Sequence, residues 1–301
     1  SVKDRIGPSG LYSLIVSSNS GRKFIVDRLN RKLKKFVPST DLSMRRDGAV
    51  RQLAEHVYDE ARNIAPRLAL QAMGVSRVTE EILGLSIAKS VADHSYPTNP
   101  KEGFTGWVSL DDHLDWFNGP GATRADLCKF SFEVLDGRVF VDLLVVEGKL
   151  RQHFDPHGMS QVKSTMKLLE EAVKGNESDG GEAEDSKLWR EEFVSAIENS
   201  SREARCVHGI ADGDAMNLVP SAIRRAFRDG DFSLRSLNGL YSICIHDRLG
   251  AVDVEFDGDV QVVHSYRNHI LGLIEKETVG LLPTPDAPVA QKPDVDDRGI
   301  A

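Results

Sequence analysis

Apolar and polar positions alternate with two different periods along the chain, and together they predict a mixed α/β protein. Helical spacing and helix signals predict helices over residues 22–36, 47–71, 78–93, 159–173, 188–199 and 220–228. Pro66 is expected to kink or break the second of these helices. Runs rich in β-branched and aromatic residues predict strands over residues 11–17, 127–135, 138–150 and 241–246, and a strand pair over 252–264.

The pair Asp136-Gly137 separates two of these β-type runs and is the strongest local signal in the sequence. Such a pair between two strands is typical of a two-residue hairpin turn. If these two residues form the turn, the residue numbers of every opposed pair in the hairpin have the sum 273. This register places Asp126 directly opposite Glu147.

Opposed residues of a hairpin share a face, with Cβ atoms ~4.5–5.5 Å apart, so Asp126 and Glu147 can hold one divalent cation. Lys149 lies two residues from Glu147 and shares its face, because side chains alternate along a strand. Gly148 points the other way and leaves its backbone carbonyl available beside the metal position. Asp142 is five residues from Glu147, so it faces the opposite side unless a bulge intervenes, and it is the weaker candidate.

The other residues on the Glu147 face are apolar, so the strand is apolar on both sides until the charged pair appears; they are Val139, Val141, Leu143 and Val145. Like charges directly opposed destabilise a sheet, so facing carboxylates need a cation or a raised pKa. A structural ion-pair network remains the alternative to a metal site.

Composition and charge limit the classes of protein that the chain can belong to. The 301 residues carry a formal net charge of -8, which argues at first against a nucleic-acid partner. Ten Lys and Arg stand against three Asp between Arg22 and Arg51, whereas residues 177–185 hold five acids. This basic stretch is compatible with DNA binding, although a solvated helix face is the commoner explanation.

Neither a membrane span nor a metal-binding cysteine cluster is predicted. No apolar run approaches the ~18 residues that a membrane helix needs, and no signal-peptide pattern is present, so a cytoplasmic protein without a membrane partner is expected. The three cysteines contain no Cys-x-x-Cys spacing and predict neither a disulfide framework nor a zinc site. The expected organisation is a basic N-terminal region (1–75), a core (76–200), a C-terminal α/β addition packed on it (201–282) and a flexible tail (283–301).

An acid on one strand, Glu-x-Lys on the next and a helix afterwards resemble the PD-(D/E)XK nuclease superfamily. The matching residues are Asp126 in Arg-Ala-Asp-Leu and the run Glu147-Gly148-Lys149. The resemblance extends to the helices predicted at 78–93 and 159–173, about a third of the chain, although the Pro that often precedes the aspartate is missing. It implies the restriction-endonuclease-like fold, a central mixed sheet flanked by helices.

The resemblance also implies Mg²⁺- or Mn²⁺-dependent hydrolysis of DNA phosphodiester bonds. Asp126, Glu147 and the Gly148 carbonyl would hold the metal ion. Lys149 would orient the attacking water or stabilise the charge that develops on the phosphate.

Helix residues add to this site in many members of the superfamily. A helix glutamate often joins the metal ligands, which points here to Glu81 or Glu80. Several branches carry a Gln on the following helix, and Gln161 fits that place as a catalytic residue, with an ordinary surface Gln as the equal alternative.

The resemblance is to nuclease subunits of prokaryotic anti-phage defence systems, and it implies a helicase or ATPase partner. A non-catalytic nucleic-acid-binding or assembly subunit with the same fold is the alternative, and a structural or protein-interaction domain is a second. His113, beside Asp111, Asp112 and Trp116, is a candidate for shaping the site entrance.

Overall fold

A computed structural model describes residues 19–36, 47–64, 76–98, 103–117, 123–151, 156–174, 184–208, 219–245, 248–250 and 252–270. Its helices are α1 (Asn19–Phe36), α2 (Asp47–Ile64), α3 (Ser76–Ser95), α4 (Pro156–Lys174), α5 (Glu184–His208) and α6 (Ser221–Asp229). Its strands are β1 (Gly103–Ser109), β2 (Leu127–Leu135), β3 (Arg138–Arg151), β4 (Phe232–Ile245), β5 (Asp253–Asp257) and β6 (Val260–Tyr266). Two 3-10 turns, Leu110–Asp112 and Leu114–Phe117, follow β1.

The strands form one six-stranded mixed sheet in the order β1-β2-β3-β4-β6-β5. The pairs β3–β4 and β4–β6 are parallel, and the other neighbours are antiparallel. Parallel neighbours need a crossover connection, and the segment with α4, α5 and α6 provides it between β3 and β4. The predicted α/β class is confirmed.

Two apolar layers cover the sheet, because successive side chains of a strand point to opposite faces. On one face, Leu144 and Val146 of β3 join a buried cluster with α1, α2 and α3. On the other face, Val141 and Val145 of β3 join a cluster with α4, α5 and α6. The strand that carries the candidate site is therefore sandwiched between two cores.

Helix α3 approaches β3 closely at Gly148. A Cβ atom at this position would lie 2.8 Å from the Ala88 Cβ and 3.0 Å from the Gly84 carbonyl oxygen. Glycine at Gly148 therefore sets the distance between α3 and the strand.

Several element bounds differ from the prediction. β1 was not predicted. A Cβ atom at Gly106 would overlap Ile197 of α5, so the packing of α5 requires glycine at this position. Glycine weakens the sequence pattern by which a strand is predicted. β4 is 14 residues long, whereas a strand of six residues was predicted. The prediction was too short because the first half of β4 is partly exposed and lacks an apolar run. α4 begins at Pro156, three residues before the start of the helix predicted over 159–173. The predicted strand at 11–17, the Pro66 kink and the tail at 283–301 lie outside the described residues.

Candidate active site

The Asp-Gly turn fixes the geometry of the hairpin. Asp136 and Gly137 have φ angles of 50° and 76°, the left-handed values that a type I′ turn requires. The antiparallel register then runs unbroken to Leu127, which stands opposite Val146. The predicted register is confirmed.

Asp126 immediately precedes the last paired residue of β2 and is held by three hydrogen bonds. Its N–H donates to the Val146 carbonyl at 3.1 Å, and its own carbonyl accepts from Leu110 N–H at 2.9 Å. The Asp126 Oδ2 atom accepts from Gly148 N–H at 2.9 Å. The carboxylate therefore lies at the end of the β2–β3 ladder, where it interacts with the Glu147 carboxyl group.

The Glu147 carboxylate lies on the same face and is fully buried. Lys149 Nζ contacts its Oε1 atom as an ion pair. Apart from this ammonium group, no donor among the described residues meets either oxygen with hydrogen-bond geometry. A buried carboxylate with so little compensation is energetically costly and is the kind of group that takes up a proton or a metal ion.

The pKa values of both carboxyl groups are raised above their ordinary values. Burial raises the pKa of Glu147 well above its ordinary value, and the nearby Asp126 raises it further, while Lys149 lowers it. Burial also raises the pKa of Asp126, against the effects of Lys149 and of the Gly148 N–H donor. The two groups therefore form a coupled pair in which ionising one disfavours ionising the other.

The Gly148 backbone is linked to this pair through its N–H group. The N–H and C=O groups of a strand residue leave the strand on the same side, and the Gly148 N–H bonds to Asp126 Oδ2. The ladder with β2 ends at Leu127, so the Gly148 carbonyl points past the last backbone pair. Its role as a third oxygen donor stays a prediction.

Helix α4 forms two hydrogen bonds with the backbone immediately before Asp126. Gln161 Nε2 donates to the Arg124 carbonyl at 2.7 Å, and Thr165 Oγ1 accepts from Ala125 N–H at 2.8 Å. These two side chains are four residues apart, so they lie on one helix face. Gln161 therefore contacts the backbone two residues before Asp126. Thr165 is fully buried and positions the residue next to Asp126, a role that the sequence analysis missed.

The first turn of α4 also packs next to Glu147. Tyr241 of β4 is the parallel partner of Glu147 and is fully buried. A Cβ at Gly158 would lie 2.7 Å from the Tyr241 hydroxyl oxygen and closer still to two ring carbons. Glycine at Gly158 therefore lets the helix rest on the tyrosine ring, and sequence spacing alone gave no signal for this contact.

Asp111 is an acidic residue outside the carboxylate pair that acts on Asp126. Asp111 lies in the 3-10 turn next to Leu110 and forms an ion pair with Arg124. Its charge contributes to the raised pKa of Asp126. The segment that was expected to shape the entrance thus includes one side chain that acts electrostatically on the pair.

His113 and Trp116 pack elsewhere in the same segment. Their rings stack at 4.1 Å, and the Trp116 indole N–H donates to Glu192 of α5 at 3.0 Å. Trp116 also meets Phe193 edge to face. These contacts tie the segment after β1 to α5.

Asp142 is placed away from the pair, as the alternation predicted. Arg235 Nε donates to its Oδ1 atom at 3.0 Å, and Ser236 Oγ donates to the same atom at 2.7 Å. A register shift in the β3–β4 pairing occurs between Val141 and Asp142, but β2 and β3 stay in register there.

The helix glutamates do not join the pair. Glu81 is exposed on α3, and Glu80 contacts Lys32 of α1 as an ion pair. Within the described ranges, no group of three or more His, Cys, Asp or Glu side chains is placed to share a metal ion. The side-chain donors of the candidate site are therefore Asp126 and Glu147.

No protein-family model matches the chain, and neither the curated proteins nor the solved structures contain a match to it. Among the described helices, none combines the length and the apolar character needed to cross a membrane.

Proposed function

We propose that this chain is a metal-dependent DNA nuclease of the PD-(D/E)XK type, a hydrolase of phosphodiester bonds. The observation that carries the proposal is the opposed carboxylate pair, Asp126 and Glu147, with the Lys149 ammonium group on the same strand face. The helices that the resemblance places before and after the hairpin correspond to α3 and α4.

The donor set fits Mg²⁺ or Mn²⁺. Both ions prefer oxygen ligands, and Asp126, Glu147 and the Gly148 carbonyl offer only oxygen. Among the described residues, the buried Glu147 oxygens have Lys149 alone as a cationic partner, so a metal ion would complete their coordination and relieve the repulsion between the two carboxylates. A bound ion of this kind supplies Lewis-acid polarisation of the phosphate and lowers the pKa of a coordinated water.

Lys149 contributes a second positive charge to the proposed reaction. Its side chain is 21% exposed, whereas Glu147 is fully buried, so Lys149 is the more accessible member of the ion pair. A phosphodiester that approaches the pair would meet this group first. Lys149 would then stabilise the negative charge that develops on the phosphate during hydrolysis.

Single substitutions test the proposal directly. Asp126→Ala, Glu147→Ala and Lys149→Ala should each reduce Mg²⁺-dependent cleavage of plasmid DNA by on the order of 100-fold or more. Asp142→Asn is the matched control, because it changes the acid nearest in sequence to Glu147 on the opposite sheet face and should leave cleavage near the wild-type rate. Equal cleavage after any one of the first three changes would count against the nuclease reading.

The setting of the reaction is part of the proposal and rests on the resemblance alone. The chain would act in the cytoplasm with a helicase or ATPase partner, as nuclease subunits of prokaryotic defence systems do. Co-purification with such a partner, followed by a cleavage assay with and without ATP, tests this part separately.

A non-catalytic nucleic-acid-binding or assembly subunit is the second candidate function. The Lys149–Glu147 ion pair favours it, because a buried carboxylate that is already paired can serve structure alone. This candidate predicts DNA binding without cleavage in Mg²⁺ or Mn²⁺, with or without the partner.

A further inference from the structure

A second cation lies close to the carboxylate pair, on the segment that leads into Asp126. Arg124 precedes Asp126 by two residues, and its guanidinium group donates to the Asp111 carboxylate at 2.5 Å. The Arg124 side chain is 17% exposed, whereas the Asp111 side chain is 54% exposed. The arginine is therefore mostly enclosed by the protein, and its acidic partner is the more accessible member of the ion pair.

This ion pair lies on the sheet face that carries Glu147. The direct neighbours of its two residues in the chain, Leu110 and Ala125, belong to the buried cluster on the α4 side of the sheet. Tyr241, the register partner of Glu147 on β4, belongs to the same cluster. Register partners in neighbouring strands point to the same face, so the ion pair and Glu147 are on one side of the sheet.

Backbone and electrostatic contacts connect the ion pair to Asp126. The Leu110 N–H group, next to Asp111, donates to the Asp126 carbonyl at 2.9 Å. Two residues of chain span at most about 7 Å, so the Arg124 backbone lies within this distance of Asp126. The charge of Asp111 contributes to the raised pKa of Asp126, which places the two carboxylates within electrostatic range of each other.

Helix α4 fixes the backbone from which the Arg124 side chain extends. Gln161 Nε2 donates to the Arg124 carbonyl at 2.7 Å, and Thr165 Oγ1 accepts from the Ala125 N–H at 2.8 Å. Because the main chain is held at both positions, the guanidinium group can exchange its partner by side-chain rotation, without a movement of Asp126. A cation that is positioned in advance loses less freedom when an anion binds to it.

A phosphate group can take the place of the Asp111 carboxylate. Both groups are anions with oxygen acceptors, and the planar guanidinium group binds either of them through two parallel N–H donors. Lys149 supplies one cation to this sheet face from β3, and Arg124 supplies another from the segment before β2. The two cations match the charge of a DNA backbone that lies across the carboxylate pair.

We propose that Arg124 binds a backbone phosphate of the DNA substrate, and that Asp111 occupies this anion position until the substrate arrives. The identity of the substrate rests on the proposed nuclease function, but the binding itself requires no cleavage. Arg124 is then a substrate-binding residue, and Asp111 weakens the binding by competing for the same guanidinium group.

The two members of the ion pair should have opposite effects on DNA binding. Arg124→Gln should bind a labelled duplex of about 30 base pairs about tenfold more weakly, in a buffer with Ca²⁺ in place of Mg²⁺. The slope of log affinity against log salt should fall by about 1, the value for one lost phosphate contact. Asp111→Asn should bind about two- to fivefold more tightly, because it breaks an exposed ion pair that competes with DNA. Arg124→Lys keeps the charge and should retain the salt slope.

A matched ion pair on the other flank of α4 provides the control. Lys163 Nζ lies 2.7 Å from Asp257 Oδ2, and both side chains are about half exposed. Lys163 is two residues from Gln161, about 200° around the helix, so this pair faces away from the Arg124 segment. Lys163→Gln and Asp257→Asn should each bind within about twofold of wild type. The double variant Arg124→Gln/Asp111→Asn should bind like Arg124→Gln, because no guanidinium group is left for Asp111 to cover.

The possible results separate this inference from the nuclease proposal. Unchanged binding by Arg124→Gln, weaker binding by Asp111→Asn, or no duplex binding by wild type at low salt overturns the inference, because a purely structural ion pair loses function when either member is removed. If Arg124→Gln does not fold, the sign of the Asp111→Asn effect and the salt slope of Arg124→Lys decide.

Cleavage assays complete the separation. If the two shifts are opposite but wild type cuts no DNA in Mg²⁺ or Mn²⁺, the Arg124 site is supported and the nuclease proposal fails. If Asp126-dependent cutting is found while Arg124→Gln binds like wild type, the nuclease proposal holds and the role of Arg124 is wrong.

Discussion

Glu147 is the residue at which the proposed function opposes folding stability. Its pKa is raised in the folded protein, so the folded state keeps a proton that the unfolded state releases as pH rises above about 4.5. The unfolded state then binds fewer protons, and the free energy of unfolding falls with rising pH until the folded-state pKa is passed. Metal-free protein should therefore lose stability as pH rises through this interval.

Glu147→Gln removes the ionisable group and should abolish this loss. In EDTA at neutral pH the variant should be more stable than wild type by roughly 1–3 kcal/mol, the cost of an unsatisfied buried polar group, and inactive in cleavage. Urea denaturation at several pH values measures the difference, which should shrink towards pH 4.5. Glu133→Gln is the control on the same hairpin: Glu133 accepts from Arg235 at 2.7 Å, so its loss should bring no gain in stability. Equal stability of Glu147→Gln and wild type at every pH would contradict the destabilising effect that we assign to the buried Glu147 carboxyl group.

Thr165 acts on Asp126 through one backbone hydrogen bond. Thr165→Val keeps the shape of the side chain but leaves the buried Ala125 N–H without its acceptor, which should cost about 1–3 kcal/mol of stability. Because Ala125 immediately precedes Asp126, the concentration of Mg²⁺ needed for half-maximal cleavage should also rise. Thr165→Ser keeps the hydroxyl group and should restore the Mg²⁺ dependence. A Thr165→Val enzyme with wild-type Mg²⁺ dependence would limit this residue to a structural role.

At the scale of elements, the docking of α4 on the sheet depends on the glycine beneath its first turn. Gly158→Ala would place a methyl group against the Tyr241 ring next to Glu147, and such overpacking should cost roughly 1–3 kcal/mol and reduce cleavage. Ser160→Ala, on the exposed side of the same turn, is the control and should change stability little. Chemical denaturation and cleavage rates measure both variants. Wild-type stability of Gly158→Ala would show that α4 can shift without affecting the site.

The hairpin could be predicted from the sequence because its information is local. Asp136-Gly137 selects the turn, and alternation then decides which residues face Asp126. The contacts of Gln161 and Thr165 could not be predicted in the same way, since their partners are backbone groups that carry no sequence signature. Their i, i+4 spacing shows only that they share a helix face.

The strands at the sheet margins were harder to predict for a related reason. β1 contains Gly106 because α5 packs against it, and this tertiary demand removes the local strand signal. The first half of β4 is partly exposed, so its residues lack the apolar run by which the second half was found.

At the scale of the whole molecule, Glu147 of the carboxylate pair lies on β3, a strand that contacts both cores, so metal binding should stabilise the entire fold. Mg²⁺ at about 100 times its dissociation constant should add about 2.7 kcal/mol to the free energy of unfolding. Calorimetry with and without Mg²⁺ at equal ionic strength measures the shift in Tm. Asp126→Asn and Glu147→Gln should lose most of it, and an unchanged shift in both variants would place the ion elsewhere.

The turn at Asp136-Gly137 lies in solvent about 33 Å along the strand from Asp126, a distance at which changes are usually neutral. Its identity is open to change among residues that accept left-handed backbone, but its length is not. One inserted residue that shifted the pairing would bring Val146 opposite Asp126 and turn Glu147 and Lys149 away from it. In the history of this chain, the hairpin tip would accept substitutions by residues that tolerate left-handed backbone and reject insertions and deletions, as an active-site residue rejects substitution.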